Sequence, residues 1–218
     1  MAFSEELRRS VGPLWEKTVT HPFVVELGDG TLPQKKFDLY FQQDYLFLRD
    51  LVSLVCGGIV KAPDFASARP LAAFVHALLV GEESLFQQYF RDAGLSQEAV
   101  GGLKYLPTSL AYSSFLGRVA SEGTFHEIVT TLLGIEWPYL DWAQRLAAAN
   151  KRPENRYYQL WIDIHVSKDL EELVFWLQGV LDGAALEDGA GLNGLFLSAL
   201  RYEYLFWEMA YKGEEWPV

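Results

Sequence analysis

Apolar residues recur at helical spacing along almost the whole chain. Leu7, Val11, Leu14 and Trp15 share one face of a helix expected over residues 3–20, with Ser4 as its cap; Pro13 either kinks that helix or moves its start. The string Leu27-Gly28-Asp29-Gly30-Thr31-Leu32-Pro33 reads as a loop, because it holds two glycines, an aspartate and a proline. A long helix follows over residues 33–61, where Phe37, Tyr40, Phe41, Asp44, Tyr45, Leu48, Leu51 and Val52 make a broad face. Further helices are expected over 65–93, 96–101, 107–122, 124–149 and 153–183, with a glycine-rich stretch at 189–194 preceding a last one that ends near Lys212. No segment alternates strictly enough to be a strand. The chain is expected to be all-α and to form one domain over residues 1–218.

Composition narrows the function classes. Half the residues are hydrophobic and 15% are aromatic, enough for a sizeable core. Lys and Arg total 18 against 29 Asp and Glu, a net charge of -11. Such a surface repels phosphate and argues against a nucleic-acid partner. The longest apolar run, residues 51–60, is about half the length needed to cross a bilayer, so no membrane partner is expected. The acidic start lacks the form of a secretory signal, and a single cysteine, Cys56, points to a reducing compartment. The expected location is the cytoplasm, with Cys56 as a buried small apolar residue.

Familiar catalytic motifs fail on inspection. Gly28-Asp29-Gly30 has no preceding strand and runs into proline, so it is no dinucleotide fingerprint. His126-Glu127 begins a zinc-protease pattern, but Thr130 stands where the second histidine is needed. None of His21, His76, His126 or His165 has a glutamate three residues before it, as a di-iron bundle requires. Neither a metal nor a cofactor is expected.

What remains is a set of carboxylates inside apolar, aromatic helices. Asp44 lies in Tyr40-Phe41-Gln42-Gln43-Asp44-Tyr45-Leu46-Phe47-Leu48, Glu136 in Leu132-Leu133-Gly134-Ile135-Glu136-Trp137, and Glu203 in Tyr202-Glu203-Tyr204-Leu205-Phe206-Trp207. Each must be exposed, paired or functional, because a lone buried carboxylate is costly. Any one of them taken alone reads as well as a solvated or ion-paired position. Aromatic rings with a few acceptors also suit a planar heterocycle that bears amino groups.

The stretch from His21-Pro22-Phe23 to Pro33, then Gln43-Asp44-Tyr45, and near the end Tyr202-Glu203-Tyr204-Leu205-Phe206-Trp207-Glu208-Met209-Ala210-Tyr211, resembles the TenA/Thi-4 family of thiaminase II-type proteins. Pro107-Thr108 through Tyr112 and Tyr158-Gln159-Leu160-Trp161 are similar as well. The resemblance implies a haem-oxygenase-like helical bundle without haem, a homo-oligomer (tetramer or dimer), and a pocket for a small aminopyrimidine. It implies that Asp44 binds the pyrimidine, that Tyr112, Phe47 and His165 line the site, and that Glu203 is the acid/base carboxylate.

The sequence departs from the family where its thiaminases carry a nucleophilic cysteine. Ile135 stands there, which resembles a cysteine-less branch. Glu136, one position on, is the expected substitute, although one residue turns about 100° around a helix. His165 occupies the place of an active-site tyrosine and reads either as an acid/base group or as a polar helix residue. The expected function is hydrolysis in thiamin-pyrimidine salvage, on aminomethylpyrimidine or its N-formyl derivative, by carboxylates. The alternative is a pyrimidine-binding or regulatory protein without catalysis. An oxidase-like role, as in the pyrroloquinoline quinone branch, needs basic residues that this chain lacks.

Overall fold

The computed structural model describes residues 2–184 and 189–218, and all regular structure among them is helical. The order is α1 (Phe3–Ser10), α2 (Gly12–Val19), α3 (Pro22–Asp29), α4 (Gln34–Lys61), α5 (Phe65–Ala77), a π-helical turn (Leu78–Glu82), α6 (Glu83–Asp92), α7 (Gln97–Gly101), α8 (Pro107–Glu122), α9 (Phe125–Ala148), α10 (Arg156–His165), α11 (Lys168–Gly183) and α12 (Gly189–Lys212).

Helix α9 is the axis of the bundle. It packs against α12, α11 and α4, and every residue from Ile128 to Glu136 is buried. A helix apolar around its whole circumference must be enclosed on every side. Thr124 starts it with a reciprocal cap: its hydroxyl accepts from the Glu127 amide, and the Glu127 carboxylate accepts from the Thr124 amide at 2.6 Å. Gly134 lets α12 approach closely, since a β-carbon there would sit 2.8 Å from Cβ of Ala199 and 3.3 Å from the Phe196 carbonyl oxygen. That contact brings the final helix, and Glu203 with it, against the segment holding Glu136.

Several boundaries differ from the sequence reading. The expected helix over 3–20 is two helices, broken between Ser10 and Gly12, with Pro13 in the first turn of the second. Ser4 is not a cap; it is buried inside α1, where its amide and hydroxyl donate to Asp182 at 2.7 and 3.0 Å. Leu27, Gly28 and Asp29 belong to α3, and only Gly30, at φ 72°, turns the chain. The expected 65–93 helix is interrupted by the π-turn, and the 153–183 helix breaks after His165, where Ser167 caps α11. The stretch at 189–194 is already α12. Cys56 is exposed, not buried; it falls beside the stripe set by Leu54, Val55 and Gly58, on the outer face of α4.

Candidate functional site

The sequence-selected carboxylates converge. Asp44 on α4, Glu136 on α9 and Glu203 on α12 are 6%, 5% and 2% exposed, so all three are buried acids. A fourth, half-buried, is Glu82 on the π-turn. Its charge acts on both Asp44 and Glu136, and that of Glu203 acts on Asp44 and Glu136. No Lys or Arg is among the groups that shift these four carboxyls.

Without a counter-charge, burial dominates their ionisation. Burial pushes Glu82 up to about 7 and Glu203 up to about 8, the latter held back by the hydrogen bond from Tyr112. Asp44 and Glu136 are raised well above the ordinary carboxylate range, first by burial and next by the charge of Glu82. The site therefore holds both protonated and ionisable carboxyls near neutral pH, which suits proton transfer.

Aromatic side chains enclose the cluster. The Tyr112 hydroxyl donates to Glu203 Oε1. Tyr112 stacks on Tyr202 at 4.8 Å between ring centroids and packs against Phe47 at the same distance, and Phe206 closes against Phe47. The Tyr40 and Tyr139 hydroxyls share a hydrogen bond of 2.8 Å. Asp44 Oδ2 is buried without a hydrogen-bond partner. Gln43, beside Asp44, fixes the start of α8 and thereby Tyr112: its amide donates to the Lys104 carbonyl, and its oxygen accepts from the Leu106 amide and the Ser109 hydroxyl.

A cavity of about 750 Å³ adjoins the cluster, with Phe74, Leu78, Glu82, Glu136, His165 and Trp176 in its wall. Asp44, Phe47, Tyr112 and Glu203 are not in that wall. His165 is buried; its Nδ1 must donate to the Trp161 carbonyl at 2.8 Å, which leaves Nε2 as an acceptor. Burial lowers its pKa to about 4, so the ring is neutral near pH 7. Of the six residues singled out in the sequence, Glu136 and His165 lie at the cavity, whereas Asp44, Phe47, Tyr112 and Glu203 lie outside its wall, buried in the neighbouring helices α4, α8 and α12. Ile135 is buried.

Sequence reasoning missed Glu82. Its signal was an acidic pair, Glu82-Glu83, closing the apolar run Leu78-Leu79-Val80-Gly81. The π-turn, a feature common at functional sites, was not legible there. The long opening motif is partly architectural. His21 Nδ1 accepts from the Phe23 amide, capping α3, while its Nε2 contacts Glu208 Oε1 at 3.4 Å.

The chain is similar in sequence and in fold to several known proteins. The pattern that defines the TENA/THI-4/PQQC family matches residues 8–213. An aminopyrimidine aminohydrolase of Halalkalibacterium halodurans is 32% identical over 99% of this chain and 98% of its own length. One of Helicobacter pylori is 31% identical over 97% of this chain and 100% of its own. Among solved structures, a TenA homologue from P. horikoshii superposes with a TM-score of 0.90 at 27% identity, covering 98% of this chain and 100% of that one.

Proposed function

The chain belongs to the TENA/THI-4/PQQC family, and from that premise we propose that it is an aminopyrimidine hydrolase of thiamin-pyrimidine salvage that works through carboxylates. The observation that carries this reading is the enclosure of Asp44, Glu136 and Glu203 by Tyr40, Tyr112, Tyr139 and Phe47 with no cation among them. Two of its relatives, at 31–32% identity over nearly full length, bear the name aminopyrimidine aminohydrolase.

In this reading Asp44 accepts hydrogen bonds from the pyrimidine's amino group and protonated ring nitrogen, and the rings of Tyr112 and Phe47 flank its faces. Water replaces the amine on the side-arm carbon: the C–N bond breaks, a C–O bond forms, and ammonia departs. Glu203 transfers the proton at the reacting centre, with Glu136 as the second carboxyl group. Acid and base can coexist because each carboxyl group that ionises raises the cost of ionising the next. A thiolate adduct has no part, since Ile135 offers no nucleophile.

The test is incubation of pure protein with aminomethylpyrimidine, its N-formyl derivative and thiamin, followed by product analysis. Release of hydroxymethylpyrimidine with ammonia is expected; the absence of any pyrimidine product refutes the reading. We place the enzyme in the cytoplasm, where a single free cysteine stays reduced. Among the described residues, no helix is long and apolar enough to cross a membrane. A homo-oligomer fits the exposure of Val60, Phe65 and Phe175; light scattering of the eluting protein measures its mass.

A further inference from the structure

Helix α12 and the segment after it reach α8 at two points. At the first, Tyr112 on α8 donates to Glu203 Oε1 and stacks on Tyr202 with the rings 9° from parallel. At the second, the chain folds back from the end of α12 onto the start of α8. Gly213, at φ 70°, makes that turn, and the Glu214 amide donates to the Met209 carbonyl at 2.9 Å, which closes the helix end. The Glu214 carboxylate then meets the first turn of α8. Its Oε2 accepts from the Thr108 amide at 2.9 Å and its Oε1 from the Thr108 hydroxyl at 2.8 Å. Two residues on, the Trp216 indole N–H donates to the Tyr105 carbonyl at 2.9 Å, just ahead of the helix.

These contacts supply what α8 lacks. Leu106, which precedes it, carries no side-chain oxygen to accept from the free amides of the first turn. Glu214 provides that acceptor from outside the helix, and its charge faces the positive end of the helix dipole. Thr108 and Tyr112 are four residues apart, so they share one face of α8. Holding Thr108 therefore sets how far and at what angle the Tyr112 hydroxyl reaches Glu203. The other titratable groups around Glu203 are Tyr40 and Asp44 on α4 and Glu136 and Tyr139 on α9. Glu214 is not in the cavity wall.

We propose that Glu214 is a positioning residue for the site: by holding Thr108 at the start of α8, it fixes the Tyr112 hydroxyl on Glu203. The hydrogen bonds need no ligand, but that the pair so held serves the reaction rests on the aminopyrimidine reading above.

The experiment follows the Glu203 carboxyl against pH by carboxyl-carbon NMR in ligand-free protein, with its signal assigned from Glu203→Gln. It compares the wild type, Glu214→Gln, Tyr112→Phe and the double variant. Glutamine keeps the length of the side chain, accepts through one atom only, and turns an N–H towards the other Thr108 donor. Tyr112→Phe should raise the Glu203 titration by about one pH unit, the scale of one charge-assisted hydrogen bond. Glu214→Gln should raise it by about half as much. In the Tyr112→Phe background Glu214→Gln should add nothing, because its effect runs through that hydroxyl. The limb of the kcat/KM profile for aminomethylpyrimidine should move with the titration. Asp64→Ala, which removes the acceptor for the Ser67 amide at the start of α5, is the control: it should lower Tm and leave Glu203 in place. If Glu214→Gln lowers Tm but leaves the Glu203 titration unmoved, Glu214 is a helix cap alone and the proposal is overturned. A shift that persists in full in the Tyr112→Phe background overturns it as well. A wild type with no turnover of any aminopyrimidine overturns the reading above, and the titrations still decide the positioning.

Discussion

The Tyr112 hydroxyl donates a hydrogen bond to Glu203 Oε1 across the interface of α8 and α12, and both side chains are buried. The bond works against burial: enclosure raises the carboxyl pKa, the hydrogen bond draws it down, and the balance lies at about 8. Tyr112 is thereby a regulator of the acid strength of Glu203, in addition to a wall against which a ring can pack. Glu203 in turn raises Asp44 and Glu136 through its charge, so the setting of this one pair reaches the other carboxyls.

Replacing Glu203 by glutamine keeps shape and removes proton transfer. Turnover is expected to fall about a hundred- to ten-thousand-fold, the range for general acid–base catalysis, with pyrimidine affinity retained. Tyr112→Phe removes the bond that lowers Glu203, so the limb of the kcat/KM profile near pH 8 should move to higher pH. A full profile of each variant decides this; a limb that stays in place in Tyr112→Phe separates Glu203 from the titration that controls the rate.

Asp44→Asn should weaken the pyrimidine itself. An amide cannot accept from both an amino group and a protonated ring nitrogen without turning a donor towards one of them. The loss of charge-assisted bonds corresponds to about 1.5–3 kcal/mol, measured by calorimetry with hydroxymethylpyrimidine. Unchanged affinity would remove Asp44 from the ring subsite.

Much of this was legible in the sequence, for a definite reason. Asp44, Glu136 and Glu203 were conspicuous because each interrupts an apolar, aromatic helical run, and a buried acid is expensive enough to demand an explanation. Long helices with clear periods, α4, α8 and α9, emerged with their ends close to place. What failed was local. A break at Val11-Gly12 and another after His165 leave the apolar period almost intact, so the pattern runs through them. Cys56 sits next to core positions, and one residue of rotation carried it outside. Glu82 escaped because its neighbours share no helical face with the other acids; only the packing of the π-turn against the cavity brings them together.

Thiol chemistry should be dispensable. Cys56, the single cysteine of the chain, is exposed on α4, and Ile135, buried on α9, carries no thiol. Complete alkylation of Cys56, verified by mass spectrometry, is expected to leave pyrimidine turnover unchanged, and thiamin should not be cleaved before or after it. Sensitivity to alkylation would make Cys56 the nucleophile and displace the carboxylate mechanism.

The same acids that serve the ligand should weaken the empty protein as pH rises. In the unfolded chain a glutamate ionises near about 4.3. In the folded chain Glu82 ionises at about 7 and Glu203 at about 8. Between those values the folded state holds protons that the unfolded state has released, so raising the pH favours unfolding until the folded pKa is passed. His165 acts in the other direction and over another range. Its folded pKa of about 4 lies below the unfolded value near 6.5, so its destabilising effect appears as pH falls from about 6.5 towards 4. The two effects separate above pH 6.5, where the carboxyls alone of these groups still titrate. Melting temperature is therefore expected to decline from about pH 6.5 to 8 in the absence of ligand. The decline should be shallower in Glu203→Gln, which has no proton to lose at that position, and shallower again when a cationic pyrimidine supplies the missing counter-charge. A melting temperature that is flat or rising across this window in the wild type would show that these carboxyls are solvated in the empty protein, and would undercut the raised pKa values on which the assignment of acid and base rests.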